Sequence, residues 1–317
     1  MPLRLPATRG VWLRLVLAIL LVALAIRFAR GYAWEETLDA LRDASWPLLG
    51  LATVINLASL GAKGWAWHLL LLPYAPHRWR SAQVATFGGA AVNCVGVSVG
   101  GEAVRAHVLA TRDRVPLGAV VGTIVVSRVV EGLALVVFLA VVAGFLPPAP
   151  WVRPVQLGLW ALTAALLALT TLGAWSRLLA RMPAWLRQAL APLAAEGAGR
   201  RLLAPLALDV VNWICEWLTF HYCLLATGIA VSPIVALTAL VAANVGGILR
   251  LTPGNVGVIQ GALLLALAPF DVDPQRGLAA GLALQAVQTI PVILFGVLVA
   301  GRPTLRAFAG RTLTESS

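Results

Sequence analysis

Asn93-Cys94-Val95-Gly96-Val97-Ser98-Val99-Gly100-Gly101-Glu102-Ala103-Val104-Arg105 and Asn244-Val245-Gly246-Gly247-Ile248-Leu249-Arg250-Leu251-Thr252-Pro253-Gly254-Asn255-Val256-Gly257 each break an apolar run with glycine and charge. In the first, the run from Ala82 to Val99 meets Gly100-Gly101-Glu102, and about ten residues follow before Arg112-Asp113-Arg114. Ten helical residues rise about 15 Å, half of a hydrocarbon core of about 30 Å. Residues 78–114 are therefore expected to enter and leave a membrane on one side, as a re-entrant hairpin. Residues 232–276 repeat the pattern: an apolar run from Pro233 to Leu249 meets Arg250-Leu251-Thr252-Pro253-Gly254-Asn255, and a helix-compatible run leads on to Asp271 and Asp273. Proline and glycine at membrane depth imply broken helix, which is tolerated only where protein or a watery cavity surrounds it.

Around these breaks lie six runs long enough to cross, at about 11–30, 46–72, 116–146, 155–175, 203–228 and 277–300. The fold class expected is an all-α integral membrane protein, with about six transmembrane helices plus two re-entrant helical hairpins in one polytopic domain. Composition agrees. Of the 317 residues, 60% are hydrophobic and 12% charged, against roughly 45–50% and about 25% in soluble domains. Mean hydropathy is +0.88. A soluble enzyme, a disordered chain and a disulfide-stapled chain are excluded. Cys94, Cys215 and Cys223 all lie in apolar runs, which argues against a disulfide framework or a zinc site. Arg27 and Arg30 directly follow the first run, so the N-terminus is read as a retained helix rather than a cleaved signal.

The formal charge is +11. The arginines sit between apolar runs, so the positive-inside rule explains them better than nucleic-acid binding does. With the N-terminus cytoplasmic, the cytoplasmic side collects 15 cations against three acids, and the outer side five cations against six acids. Both termini are then cytoplasmic. Trp12, Trp34, Trp46, Trp79, Trp151 and Trp175 fall near the predicted boundaries, as an aromatic belt should. The first hairpin opens to the cytoplasm and the second to the outside. Residues 1–150 and 151–302 thus form two halves of an inverted-topology repeat, followed by a tail at 303–317, an arrangement common among secondary transporters.

Removing the loop charges leaves Lys63, Arg105, Arg128 and Arg250 with Glu102, Glu131, Asp209 and Glu216 inside the membrane. Each costs about 2.5–3.5 kcal/mol on insertion scales, so all eight must face protein or a hydrated cavity. Glu102 and Arg105 are three apart, as are Arg128 and Glu131, which puts each pair on one helix face. Asp209, Asn212 and Glu216 share another face. These groups read either as a structural network or as a polar pathway for a charged headgroup or coupling ion. The turns at Gly100-Gly101 and at Thr252-Pro253-Gly254-Asn255 precede short helices, whose N-termini attract anions. Gly101 and Gly254 are expected to let the backbone approach a ligand closely, with Arg105 and Arg250 beside them. Gln260, Gln285 and Gln288 are assigned to inter-helix hydrogen bonding. Catalytic and cofactor motifs are not found, and the four histidines have no metal-ligand spacing.

Gly100-Gly101-Glu102-Ala103-Val104-Arg105, Ser127-Arg128-Val129-Val130-Glu131 and Thr252-Pro253-Gly254-Asn255-Val256-Gly257 together resemble the membrane domain of the bacterial lysylphosphatidylglycerol synthase/flippase family. The resemblance covers roughly residues 10–302. Ser127 replaces the usual acid before Arg128, Glu131 stands for Asp, Asn255 stands for the second Gly, and Val99 stands where proline is common. The resemblance implies the lipid-moving half of the family without the aminoacyl-transfer half: a stand-alone, non-enzymatic flippase with no cofactor. Its partner would be a membrane phospholipid or other phosphate-bearing lipid, not nucleic acid. The oligomeric state is left open, a homodimer being compatible. Two other classes stay in view, a membrane enzyme acting on a lipid-linked phosphate or sugar and a non-transporting accessory lipid-binding protein.

Overall fold

The computed structural model describes residues 34–95, 100–143, 198–230, 232–248 and 252–314, with isolated helical residues between 157 and 165. Among the described residues there are nine α-helices and no strand. In chain order they are α1 (Trp34–Arg42), α2 (Trp46–Leu71), α3 (Trp79–Val95), α4 (Gly100–Arg112), α5 (Leu117–Ala143), α6 (Ala198–Ala226), α7 (Pro233–Ile248), α8 (Val258–Leu267) and α9 (Pro274–Thr314). Gly301, at φ 74°, breaks the helical path of α9.

Four stretches are long and apolar enough to cross a membrane: Trp46–Leu71, Leu117–Val142, Arg201–Ala226 and Pro274–Val299, each of 26 residues. That length spans about 39 Å. They match four of the six expected runs. The run at 11–30 lies outside the described residues, and so does most of 155–175. The last span starts at Pro274 rather than at 277. Proline suits the first helical position, and the Asp273 carboxylate accepts the N–H of Arg276 at 3.1 Å, as an N-cap does. Helices α1, α2 and α3 each begin with an exposed tryptophan, Trp34, Trp46 and Trp79.

Helices α3 and α4 have 17 and 13 residues, about 25 and 20 Å, and they fold back on one another. The contact is made by small residues. A Cβ added to Gly89 would lie 2.7 Å from the Gly101 carbonyl oxygen. Asn93 Oδ1 accepts the N–H of Gly101 at 3.0 Å. Helices α7 and α8, of 16 and 10 residues, pair in the same manner. Asn255 Nδ2 donates to the Gly247 carbonyl at 3.5 Å. In each pair an asparagine side chain therefore fastens backbone eight positions away. The asparagine that does this in the second pair is Asn255. Asn244, the residue whose spacing echoes Asn93, donates to Leu240 on its own helix at 2.9 Å.

The two breaks touch. Gly254, at φ 60°, presses on the carbonyl oxygen of Cys94, so that a Cβ would collide with it. Gln285 Nε2 holds the Gly254 carbonyl at 3.0 Å. Two apolar cores flank this meeting point. One joins α2, α5, α6, α7, α8 and α9 around Trp213, Phe220, Leu240, Leu263 and Leu284. The other joins α2, α3, α4 and α5 around Trp67, Leu71, Val108 and Leu109. Helix α9 crosses α3 at Gly296, where a Cβ would come within 2.6 Å of Ala91 Cβ.

Replacing Gly254 should separate backbone strain from collision. A non-glycine residue in the left-handed region costs roughly 1–3 kcal/mol. Gly257, at φ 84°, carries the same backbone restriction but has nothing within 4 Å of an added Cβ. Gly254→Ala should therefore melt at a lower temperature in detergent than Gly257→Ala, by tryptophan fluorescence. Equal melting temperatures would contradict the contact with Cys94.

Candidate functional site

The helical spacing of three sets up the first pairs. Arg105 Nη1 lies 3.1 Å from Glu102 Oε2 on α4, and Arg128 Nη1 lies 2.9 Å from Glu131 Oε2 on α5. Packing of α4 on α5 then joins the pairs through an Arg128–Glu102 ion pair. Lys63, from the middle of α2, closes the far end on Glu131. The result is an alternating chain of five charges across three helices: Arg105, Glu102, Arg128, Glu131, Lys63. Alternation gives every charge an opposite neighbour, which is what lets ions leave bulk water.

The chain is held from outside as well. Arg105 is 6% exposed, and its guanidinium lies over the Trp67 ring, 4.0 Å from the centroid. Trp67 Nε1 donates to Thr123 Oγ1 at 3.3 Å, which fixes the ring. Trp213 Nε1 on α6 donates to the Glu131 carbonyl oxygen at 3.0 Å.

Helix α6 brings two further acids. Asp209 is 2% exposed and faces the field of Glu131, Lys63, Arg105 and Arg128. Two turns on, Glu216 Oε1 lies 3.2 Å from Ser59 Oγ, and Gln288 Nε2 donates to Glu216 Oε2 at 3.4 Å. Arg128 and Glu216 then meet in a cavity of about 430 Å³, with Asn244, Gly247, Asn255, Ile259 and Gln288 in its wall. One arginine thus belongs both to the ion chain and to the cavity.

The expected site residues divide accordingly. Glu102, Arg105, Arg128 and Glu131 are joined directly, and Arg128, Glu216 and Asn255 line the cavity. Pro253 and Gly254 form the turn behind Asn255, and Thr252 Oγ1 donates across it to the Val256 carbonyl at 2.7 Å. Arg250 lies outside the described residues. The glycines have a different job from the one expected. The space left at Gly101 is taken by the Gly89 backbone and Asn93, and the space at Gly254 by the Cys94 backbone, so protein rather than a ligand makes the close approach. The helix starts are also partly occupied. Asn93 accepts the Gly101 N–H, and Gln260 Oε1 accepts the Gly257 N–H at 2.7 Å.

Lys63 was the missed partner. Its ligand Glu131 is 68 positions away, so no spacing rule connects them. The available signal was its being the single lysine of the chain, set in an apolar helix. The sequence marks Gln288 only as an inter-helix contact. It makes one, but to Glu216 at the cavity wall.

These helices and their ion chain define a multi-pass α-helical membrane protein with a polar site among its helices. The family model for the lysylphosphatidylglycerol synthase TM region matches residues 11–296, and the chain belongs to that family. The match is to the family's membrane region and includes no catalytic domain. No curated protein matches the sequence.

The two-cation role of Glu131 predicts unequal mutational costs. Glu131→Gln leaves Lys63 without its carboxylate, and breaking a buried pair in this way costs about 3–5 kcal/mol. Arg128→Gln should cost less, because Glu102 keeps Arg105 and Glu131 keeps Lys63. Denaturant titration of the two variants in micelles tests the order. A smaller loss for Glu131→Gln would refute it.

Proposed function

We propose that this protein moves a lipid with a phosphate headgroup between the leaflets of the bacterial cytoplasmic membrane, with no catalytic step. One observation carries the reading: Arg128 is the central member of the ion chain and also lines a cavity walled by Asn244, Asn255, Gln288 and Glu216. A headgroup leaving water needs replacement donors. Arg128 supplies charge-assisted ones, and the Asn and Gln amides supply neutral ones. Arg250 and the turn at Thr252-Pro253-Gly254-Asn255 complete the proposed path. The paired acids Glu102 and Glu131 temper the arginines, so that a phosphate is bound without being trapped.

In the same reading, α3–α4 and α7–α8 are re-entrant hairpins of opposite opening, whose breaks meet at Gly254 and Cys94 near the midplane. Residues 1–150 and 151–302 are then inverted halves, which lets one site face either side at similar energy. Both termini are cytoplasmic, and the loops at about 31–45, 147–153 and 271–276 are external. Family membership supports a lipid-related role.

Purified protein in vesicles should equilibrate labelled phospholipid or polyprenyl-phosphate lipid between leaflets, and Arg128→Gln should slow this at least tenfold. Movement no faster than in protein-free vesicles, for each phosphate lipid class, would favour the accessory lipid-binding role instead. Topology is tested separately by single-cysteine labelling in cells. Position 273 should react with an impermeant maleimide and position 187 should not. Labelling at 187 from outside would overturn the inverted repeat.

A further inference from the structure

Glu216 is the acid of this site that lines the cavity, and like Asp209 it has no cation paired to it by the ion chain. Among the described residues, no Lys or Arg nitrogen lies within 4.0 Å of it, whereas Glu102 and Glu131 each hold two cations. Its contacts are Ser59 on α2 and Gln288 on α9, and it faces the cavity. The charged groups around it are Lys63 from α2, Arg128 and Glu131 from α5, and Asp209 two turns back on α6. From α7, α8 and α9 the cavity wall presents Asn244, Ile259 and Gln288, none of which titrates.

The hydrogen bonds around Ser59 are short of one proton. Ser59 Oγ lies 2.9 Å from Asn212 Oδ1 and 3.2 Å from Glu216 Oε1. An amide oxygen carries no hydrogen, so the shorter contact uses the single hydroxyl proton of Ser59. The longer contact joins two oxygens, and a protonated Glu216 supplies the hydrogen that Ser59 then lacks. A carboxylic acid there donates to Ser59 Oγ and still accepts from Gln288 Nε2 through its other oxygen, which completes every bond of the cluster. A bare carboxylate would leave two acceptors competing for one hydroxyl in a site without a paired cation.

We propose that Glu216 carries a transferable proton, and that this proton travels with the anionic headgroup. The proposal rests on the transport reading above and adds its energy coupling. The charge count supports it. With Lys63, Arg105 and Arg128 set among Glu102, Glu131, Asp209 and Glu216, the described site is one charge more positive when Glu216 holds a proton than when it does not. An anionic phosphate beside Arg128 therefore binds better to the protonated site, and by linkage its binding retains the proton. On release, the O–H bond of Glu216 breaks and the proton passes to water in the cavity. Ser59 then turns its hydroxyl from Asn212 to the new carboxylate. One proton and one anionic charge move together, so the step carries no net charge across the membrane.

Two measurements on the full chain test this. Infrared difference spectra of the reconstituted protein, taken across an acid–base titration, should show a protonated-carboxyl stretch that Glu216→Gln removes. In vesicles holding a singly charged phosphate lipid, a gradient of about one pH unit should sustain up to about a tenfold enrichment in the leaflet on the alkaline side, since one proton per lipid converts a tenfold proton ratio into a tenfold lipid ratio. Clamping the membrane potential should leave that enrichment unchanged. Glu216→Gln should lose the enrichment, whatever its rate of equilibration. Lipid movement without enrichment in the parent protein, or enrichment that survives in Glu216→Gln, would overturn the coupling and leave transport standing. An infrared band that depends on Glu216 in a protein that moves no lipid would reject transport and leave the proton site.

Discussion

Glu131 holds two cations from different helices, and much of the assembly hangs on that. Its carboxylate takes Lys63 from α2 and Arg128 from its own helix, while its backbone oxygen takes the Trp213 indole from α6. One residue thereby sets the relative position of three crossing helices. It also frees Arg128 to reach Glu102, which brings α4 into the same cluster. Ions in a low-dielectric interior are tolerated only as well-paired sets. The geometry of the charges and the packing of the helices are therefore one constraint, not two.

What could be read from the sequence follows from distance along the chain. The pairs Glu102/Arg105 and Arg128/Glu131 were legible because helical spacing alone sets them face to face. So were the break at Pro253-Gly254, where Gly254 takes the left-handed φ of 60° that glycine allows, and a helix start at Gly100. Lys63 on Glu131, Arg128 on Glu102 and Gln288 on Glu216 were not legible, because each joins separate helices whose packing no local rule supplies. What the glycines make room for is hidden for the same reason. A local rule says that Gly254 permits close approach. Only the packed chain says that the approaching group is the Cys94 carbonyl.

The two broken segments share a backbone plan but not a chemistry. Asn93 accepts from backbone and Asn255 donates to it, so the same eight-residue latch runs with donor and acceptor exchanged. The first segment brings Glu102 and Arg105 into the ion chain. The described part of the second brings amides, Asn244 and Asn255, to the cavity wall. The first broken segment thus brings charge to the site, while the described part of the second supplies neutral hydrogen-bonding groups and shape.

At the point where the breaks meet, the two sides differ in what they contribute. Gly254 contributes the lack of a side chain, while residue 94 contributes only its carbonyl oxygen, a group that all amino acids possess. The contact is therefore indifferent to spelling on one side and strict on the other. In a library of random substitutions, position 94 is free to drift in size as far as its neighbours on α9 allow. Position 254 is confined to a single letter, and the pair leaves no trace of covariation although its members touch.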